Sequence, residues 1–139
     1  MSRPLDKAGW QALADTLTAR LETRAYIDDR FVDAASGETF ETINPATGEV
    51  LTRVASCDQA DAELAVAHAR RAFDGGEWSR LAPTRRKRVL LRLAELMEAH
   101  RDELALLDTL DMGKPITSAL GDMAGAIGAM RHQAESIDK

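Results

Sequence analysis

Thr39-Phe40-Glu41-Thr42-Ile43-Asn44-Pro45-Ala46-Thr47-Gly48-Glu49-Val50-Leu51 is the stretch from which the fold is read. Thr39, Phe40, Thr42 and Ile43 read as one strand. Asn44-Pro45-Ala46-Thr47-Gly48 is a turn cluster in which Gly48 can take a positive φ. Val50, Leu51, Val54 and Ala55 return as the paired strand. Just upstream, Tyr26-Ile27 and Arg30-Phe31-Val32 flank an Asp28-Asp29 turn, and Ser36-Gly37 marks a second turn. Residues 25–55 are therefore expected to form an antiparallel β-meander.

On both sides of this segment the period changes to that of a helix. In residues 1–24, Trp10, Leu13, Leu17 and Leu21 recur at spacings of three and four, with Asp6 placed to cap the helix start. After Ser56 everything reads as helix. Asp58 with Asp61, or Ser56 with Gln59, can cap the first of these helices. Its apolar face is Ala62, Ala65, Val66, Ala69 and Phe73, and Gly75-Gly76 stops it. Pro83 opens the next helix, whose expected buried stripe is Val89, Leu90, Leu93, Leu96 and Met97. A break near His100 precedes a helix carrying Leu104, Leu107 and Leu110, which ends at Gly113 and Pro115. Leu120, Met123, Ile127, Met130, Ala134 and Ile137 then recur at helical spacing, and a continuous helix over 116–139 would run roughly 36 Å. Gly121, Gly125 and Gly128 each cost this helix about 1 kcal/mol against alanine. Their presence implies a closely packed neighbouring backbone or a broken helix. No C-terminal cap follows, which reads as a sign of further polypeptide.

Composition narrows the function classes. The chain has 139 residues, 45% hydrophobic and 29% charged, a globular balance for one modest domain. Aromatics are only 4%, so the core rests on small and aliphatic side chains suited to close helix packing. A net charge of -5 disfavours general binding to nucleic acid or anionic membrane. Cys57 is the one cysteine, so no internal disulfide can form, which fits a reducing compartment. With neither a signal-peptide pattern nor an apolar run of membrane-span length, a cytoplasmic location is expected.

Three strings together resemble the aldehyde dehydrogenase superfamily: Thr42 to Glu49, Arg88-Val89-Leu90-Leu91-Arg92-Leu93-Ala94-Glu95-Leu96-Met97, and Leu107-Asp108-Thr109-Leu110-Asp111-Met112-Gly113-Lys114-Pro115. Their order and separation also match. Within the family, Met97 to Leu107, Trp10-Gln11 and Glu135 to Lys139 are most similar to the enzymes oxidising gamma-glutamyl-gamma-aminobutyraldehyde in polyamine (putrescine) breakdown. The resemblance implies an α/β parent fold, in which residues 56–139 are the helical part of an incomplete coenzyme-binding domain. Meander and helices would pack on a Rossmann-like coenzyme domain outside the given chain. It also implies a homo-oligomer, with the remainder of the enzyme as partner and NAD(P) as coenzyme. Catalytic and cofactor-binding residues are expected to be absent from this segment. Two departures affect packing: Met112 stands where Thr or Asn is usual, and Arg131-His132-Gln133 stands where aromatics are usual.

By the same resemblance, Asp111 with the backbone carbonyls of Thr42 and Ile43 would hold a monovalent cation, sodium or potassium, and oxygen-only ligation suits a hard ion. Independently, Asp108 and Asp111 sit at the negative end of a helix dipole, an unfavourable placement of about 0.3–1 kcal/mol that Lys114 or a cation would offset. The bland reading of Asp111 is an exposed helix-end aspartate. Cys57 lies near a helix start, where a thiol pKa falls, yet it has no histidine nearby in sequence and reads as incidental. The basic run Arg85-Arg86-Lys87-Arg88 with Arg92 reads as a solvated face partnered by Glu95 rather than a nucleic-acid patch. His68, His100 and His132 lack metal-ligand spacing, and neither a Walker string nor a strand-associated GxGxxG occurs. Three functional readings follow: a non-catalytic segment of an aldehyde-oxidising enzyme, a helical interaction module derived from one, and a nucleic-acid binder through the basic run.

Overall fold

The computed structural model describes residues 5–139. Residues 1–4 of the N-terminal segment lie outside the described residues. Five helices and two hairpins follow in order: α1 (Lys7–Thr18), β1 (Ala25–Ile27), β2 (Arg30–Val32), β3 (Thr39–Ile43), β4 (Val50–Ala55), α2 (Gln59–Gly75), α3 (Pro83–Ala99), α4 (Arg101–Met112) and α5 (Ile116–Ser136).

The strands pair antiparallel as expected, in two separate two-stranded sheets. The reason lies in the linker. Residues 33–38 turn inward at buried Ala34, and the Ala35 amide donates to the Asp61 carboxylate of α2 at 2.9 Å. The backbone thus bonds to α2 where a continuous meander would have bonded to a strand. In the first hairpin Asp28 and Asp29 both take positive φ (55° and 60°), the geometry of a two-residue loop that matches strand twist. Tyr26 and Phe31 pack edge to face across it, with ring centroids 5.1 Å apart. In the second, the Asn44 side chain accepts from the Ala46 amide at 2.9 Å, and Gly48 supplies the left-handed residue at φ 76°.

The helices pack through small residues. Ala94 of α3, Ala105 of α4, and Ala119, Ile127 and Ala134 of α5 are buried, and α5 lies against both α3 and α4. Alanine at these points lets helix axes approach closely. Ala14 and Leu17 of α1 meet Leu106 of α4, with Trp10, Leu13, Leu21, Leu107 and Leu110 around them. Of the stripe read from the sequence, Trp10, Leu13 and Leu17 lie on α1, whereas the helix ends at Thr18 and Leu21 joins the cluster from the segment after it. The stripe of α4 is wider, because α4 is gripped from two sides: Ala105 and Leu106 are its most buried residues, while Leu104, Leu107 and Leu110 are half-buried.

Three expectations about burial change. The α2 face is open, with Val66 68% and Phe73 65% exposed, because α2 touches the rest of the chain mainly through its start and the first hairpin. On α3, Leu90 and Met97 are half-buried while Val89, Leu93 and Leu96 are exposed, because only the side facing α5 is covered. Helix α5 is unbroken over 21 residues, and a methyl group added at Gly121, Gly125 or Gly128 would meet nothing within 4 Å. No backbone of the described residues presses on those glycines. Ala119, Ile127 and Ala134 are buried along the same helix and anchor it on both sides of these glycines.

Candidate functional site

The second hairpin and the end of α4 form the structural junction of the chain. Gly113 ends α4 in the left-handed conformation (φ 73°), and a Cβ there would lie 2.9 Å from Cγ of Pro45. The Asn44-Pro45 turn thus sits on the α4 C-cap. Beside it, a cleft of about 260 Å³ opens between α1, the second hairpin and α4. Its floor is apolar, including Leu21, Leu51 and Leu107, and Thr42, Glu22, Asp108 and Asp111 provide polar groups.

Two of the three nominated cation ligands, Thr42 and Asp111, line this one cleft although they lie 69 positions apart in sequence. Ile43 is half-exposed and lies at the cleft's edge in sequence only. A β-bulge falls between Thr42 and Ile43: Thr42 pairs with Thr52, but Ile43 pairs with Val50. Bulges interrupt the ladder and free backbone polar groups from it. Lys114 does not pair with Asp111. Its ammonium reaches Asp122 at 2.5 Å and Asp108 at 3.5 Å, and these two carboxylates, Asp122 first, hold its pKa above the ordinary lysine range. Asp111 itself is exposed. Glu22, on the far lip, bonds the Arg24 guanidinium at 2.8 and 2.9 Å, and that bond chiefly lowers its pKa to about 2.

The other residues singled out from sequence fall elsewhere. Cys57 is exposed immediately before the α2 N-cap Asp58. In the basic run, Lys87 bridges to Glu135 at 2.7 Å and Asp138 at 3.2 Å, and Arg92 meets Glu95 at 3.0 Å. Lys87 is thus part of the α3–α5 joint rather than a free patch. His100 sits at the α3–α4 junction, and His68 lies 2.7 Å from the Asp28 carboxylate of the first hairpin. Among the described residues no group of three or more His, Cys, Asp or Glu is arranged to hold a metal ion, and no helix is long and apolar enough to cross a membrane. Met112, 60% exposed, and the exposed Arg131, His132 and Gln133 have no inward packing role in this chain.

Sequence reasoning missed the reach of Asp61. It completes the expected capping box by accepting from the Asp58 amide at 3.0 Å, but it also accepts from Ala35 at 2.9 Å. The capping spacing signalled the first bond. Nothing local signalled the second.

The arrangement of hairpins and helices matches known proteins. The profile of the aldehyde dehydrogenase family matches residues 31–139. The chain belongs to the aldehyde dehydrogenase family. It is 49% identical over 140 aligned residues to aminoacetaldehyde dehydrogenase of Pseudomonas aeruginosa, an alignment spanning 100% of this chain and 28% of that protein. Its fold superposes on indole-3-acetaldehyde dehydrogenase AldA of P. syringae, solved in complex with NAD+, with TM-score 0.92 and 51% identity over 97% of this chain and 27% of that one. Gamma-glutamyl-gamma-aminobutyraldehyde dehydrogenase from Burkholderia cenocepacia gives TM-score 0.93 and 50% identity over 97% of this chain and 27% of that one. The chain therefore spans about a quarter of the length of the relatives it matches, and its hairpins and helices correspond to the N-terminal part of the aldehyde dehydrogenase fold.

Proposed function

We propose that the chain serves as the N-terminal structural segment of an NAD(P)-dependent enzyme that oxidises an aminoaldehyde to its carboxylic acid in the cytoplasm, working as a homo-oligomer. The reaction class is supported by membership of an oxidoreductase family, and the aminoaldehyde by the relatives acting on aminoacetaldehyde and gamma-glutamyl-gamma-aminobutyraldehyde. The observation that carries the structural role is the open apolar surface. Tyr26, Phe31, Phe40, Ile43 and Val50 on the hairpins, and Val66 and Phe73 on α2, are 47–68% exposed. Exposed large side chains gathered on neighbouring elements mark a surface made to be covered. On this reading, polypeptide equivalent to the rest of the relatives covers it, binds NAD(P) and supplies the reacting groups, and this segment alone is inactive.

The residues present suit a monovalent cation. Thr42 and Asp111 share a cleft, and the bulge at Thr42–Ile43 loosens the ladder there. Asp111 and the Thr42 and Ile43 carbonyls would hold sodium or potassium, whose charge offsets a carboxylate at a helix C-terminus. Its part would be to fasten hairpin to helix.

A chimera tests the proposal. Replacing the aligned segment of the P. aeruginosa aminoacetaldehyde dehydrogenase with residues 1–139 should give a soluble enzyme whose kcat/KM for aminoacetaldehyde stays within about tenfold of the parent, a change of about 1.4 kcal/mol. Crystals grown in potassium should show ordered ion density at Asp111. A folded but inactive chimera, or NAD reduction by the 139-residue chain unaided, would overturn the segment reading. An empty map at Asp111 would remove the cation from it. The alternative, a helical interaction module derived from such an enzyme, predicts that the isolated chain hides its apolar surface.

A further inference from the structure

Two side chains of helix α2 bond to the hairpin segment among the described residues. Near the helix start, the Asp61 carboxylate accepts from the Ala35 amide at 2.9 Å. Roughly 10 Å further along the axis, Nδ1 of His68 lies 2.7 Å from Oδ1 of Asp28. Asp28 belongs to the first hairpin turn and holds φ 55°, a backbone region that Asp and Asn enter more readily than other side chains. The His68 side chain is only 15% exposed, so water competes poorly for its ring.

The same Nδ1 atom also faces the guanidinium of Arg71, one turn on along α2. Asp28 from the hairpin and Arg71 from the helix are thus the charged groups in contact with the ring, and they make opposite demands. A carboxylate only accepts a hydrogen bond, and a guanidinium only donates one. With a proton on Nδ1 the ring serves Asp28. With a lone pair there it serves Arg71 and turns that lone pair on the carboxylate. Asp29, the next acid in the turn, accepts from the Tyr26 hydroxyl within the hairpin.

We propose that His68 is a proton-operated clasp between α2 and the first hairpin. The imidazolium carries a proton on both nitrogens and makes a charge-assisted bond to Asp28. The neutral ring keeps its one proton on Nε2 and accepts from Arg71, so the bond to Asp28 is lost. Histidine changes charge within roughly pH 5–8. The clasp therefore holds on the acid side of that range and opens as pH rises through it, as for any base whose charged form is bonded in the fold. Asp61, whose bond involves no histidine, is the fixed end, and His68 is the releasable one. Opening frees the hairpin tip, which carries exposed Tyr26 and Phe31, from α2, which carries exposed Val66 and Phe73. The inference does not depend on the enzymatic reading, because every partner lies within the 139-residue chain.

Hydrogen exchange read by mass spectrometry at about pH 5.5 and about pH 8, on either side of most of the histidine range, tests it. Peptides covering residues 25–32 report on the hairpin. After the intrinsic pH dependence of amide exchange is divided out, their protection should fall at least about threefold at the higher pH, the scale of a partly exposed ion pair. Asp28→Asn suits the positive φ of the turn and should fold with this step removed. His68→Gln, which does not titrate, should remove it too. Arg71→Ala should shrink the step, because the neutral ring then has no donor drawing it from Asp28. Equal protection at the two pH values in the unaltered chain overturns the proposal. So does a step that survives Asp28→Asn or His68→Gln, or one left at full size in Arg71→Ala.

Discussion

At the scale of single residues, two side chains show how local chemistry is set by immediate neighbours. Gly113 can hold φ 73° without strain and leaves room for the Pro45 ring, so one hydrogen atom in place of a methyl joins hairpin to helix. Glu22 shows the electrostatic counterpart. Its hydrogen bond with Arg24, supported by the Thr23 and Arg24 amides, holds its pKa near 2 against the usual 4.5. Because the folded value lies below the unfolded one, the pair stabilises the fold fully above pH about 4.5 and loses that contribution as pH falls through about 2. A carboxyl-carbon NMR titration of Glu22 should therefore show a midpoint close to 2. In Arg24→Ala the midpoint should return toward the ordinary glutamate range. Equal midpoints in the two proteins would mean that the ion pair does not persist in solution, where exposed pairs are well screened.

At the scale of elements, Asp61 links three parts of the chain. One carboxylate closes the α2 capping box and also anchors the linker between the two hairpins through Ala35. Asp61 is 4% exposed, so its carboxylate relies on these two amides as partners. Asp61→Ala should lower stability by about 1–3 kcal/mol in urea unfolding, the cost of a lost cap and of a lost hydrogen bond to a charged acceptor. Hydrogen exchange at Ala35 should accelerate in parallel. A loss below about 0.5 kcal/mol, the level of an idle surface position, would show that the linker is held by something else. The same element explains why the strands split into two hairpins. The strand periods and turn residues of 25–55 were legible, but a bond to a residue 26 positions away was not.

At the scale of the whole molecule, the described chain is a helical unit and two hairpins with much of their apolar surface open. The α3–α4–α5 packing is closed mainly by alanines and the α1–α4 seam by leucines and Trp10 around Ala14, whereas the outward faces of α2, α3 and the hairpins leave large side chains open. Folded protein with native helicity should therefore bind an apolar fluorescent dye strongly. A folded chain that leaves the dye dark would favour the self-contained interaction module. As for the site, the sequence named Thr42 and Asp111, and the fold brought both to one cleft; it also sent Lys114 to Asp122 and Asp108 instead of Asp111. Sequence by itself determined the elements and their ends, because caps, turns and periodicity act within a few residues: Asp6, Asp58, Gly76 and Gly113 stand where helices begin or stop. It also carried the family, in strings that stay recognisable without any coordinates. Tertiary structure alone decided which apolar stripes are covered. Periodicity shows that a helix has a greasy face, but burial requires a second surface within contact distance, and the position of that surface is a property of the folded chain.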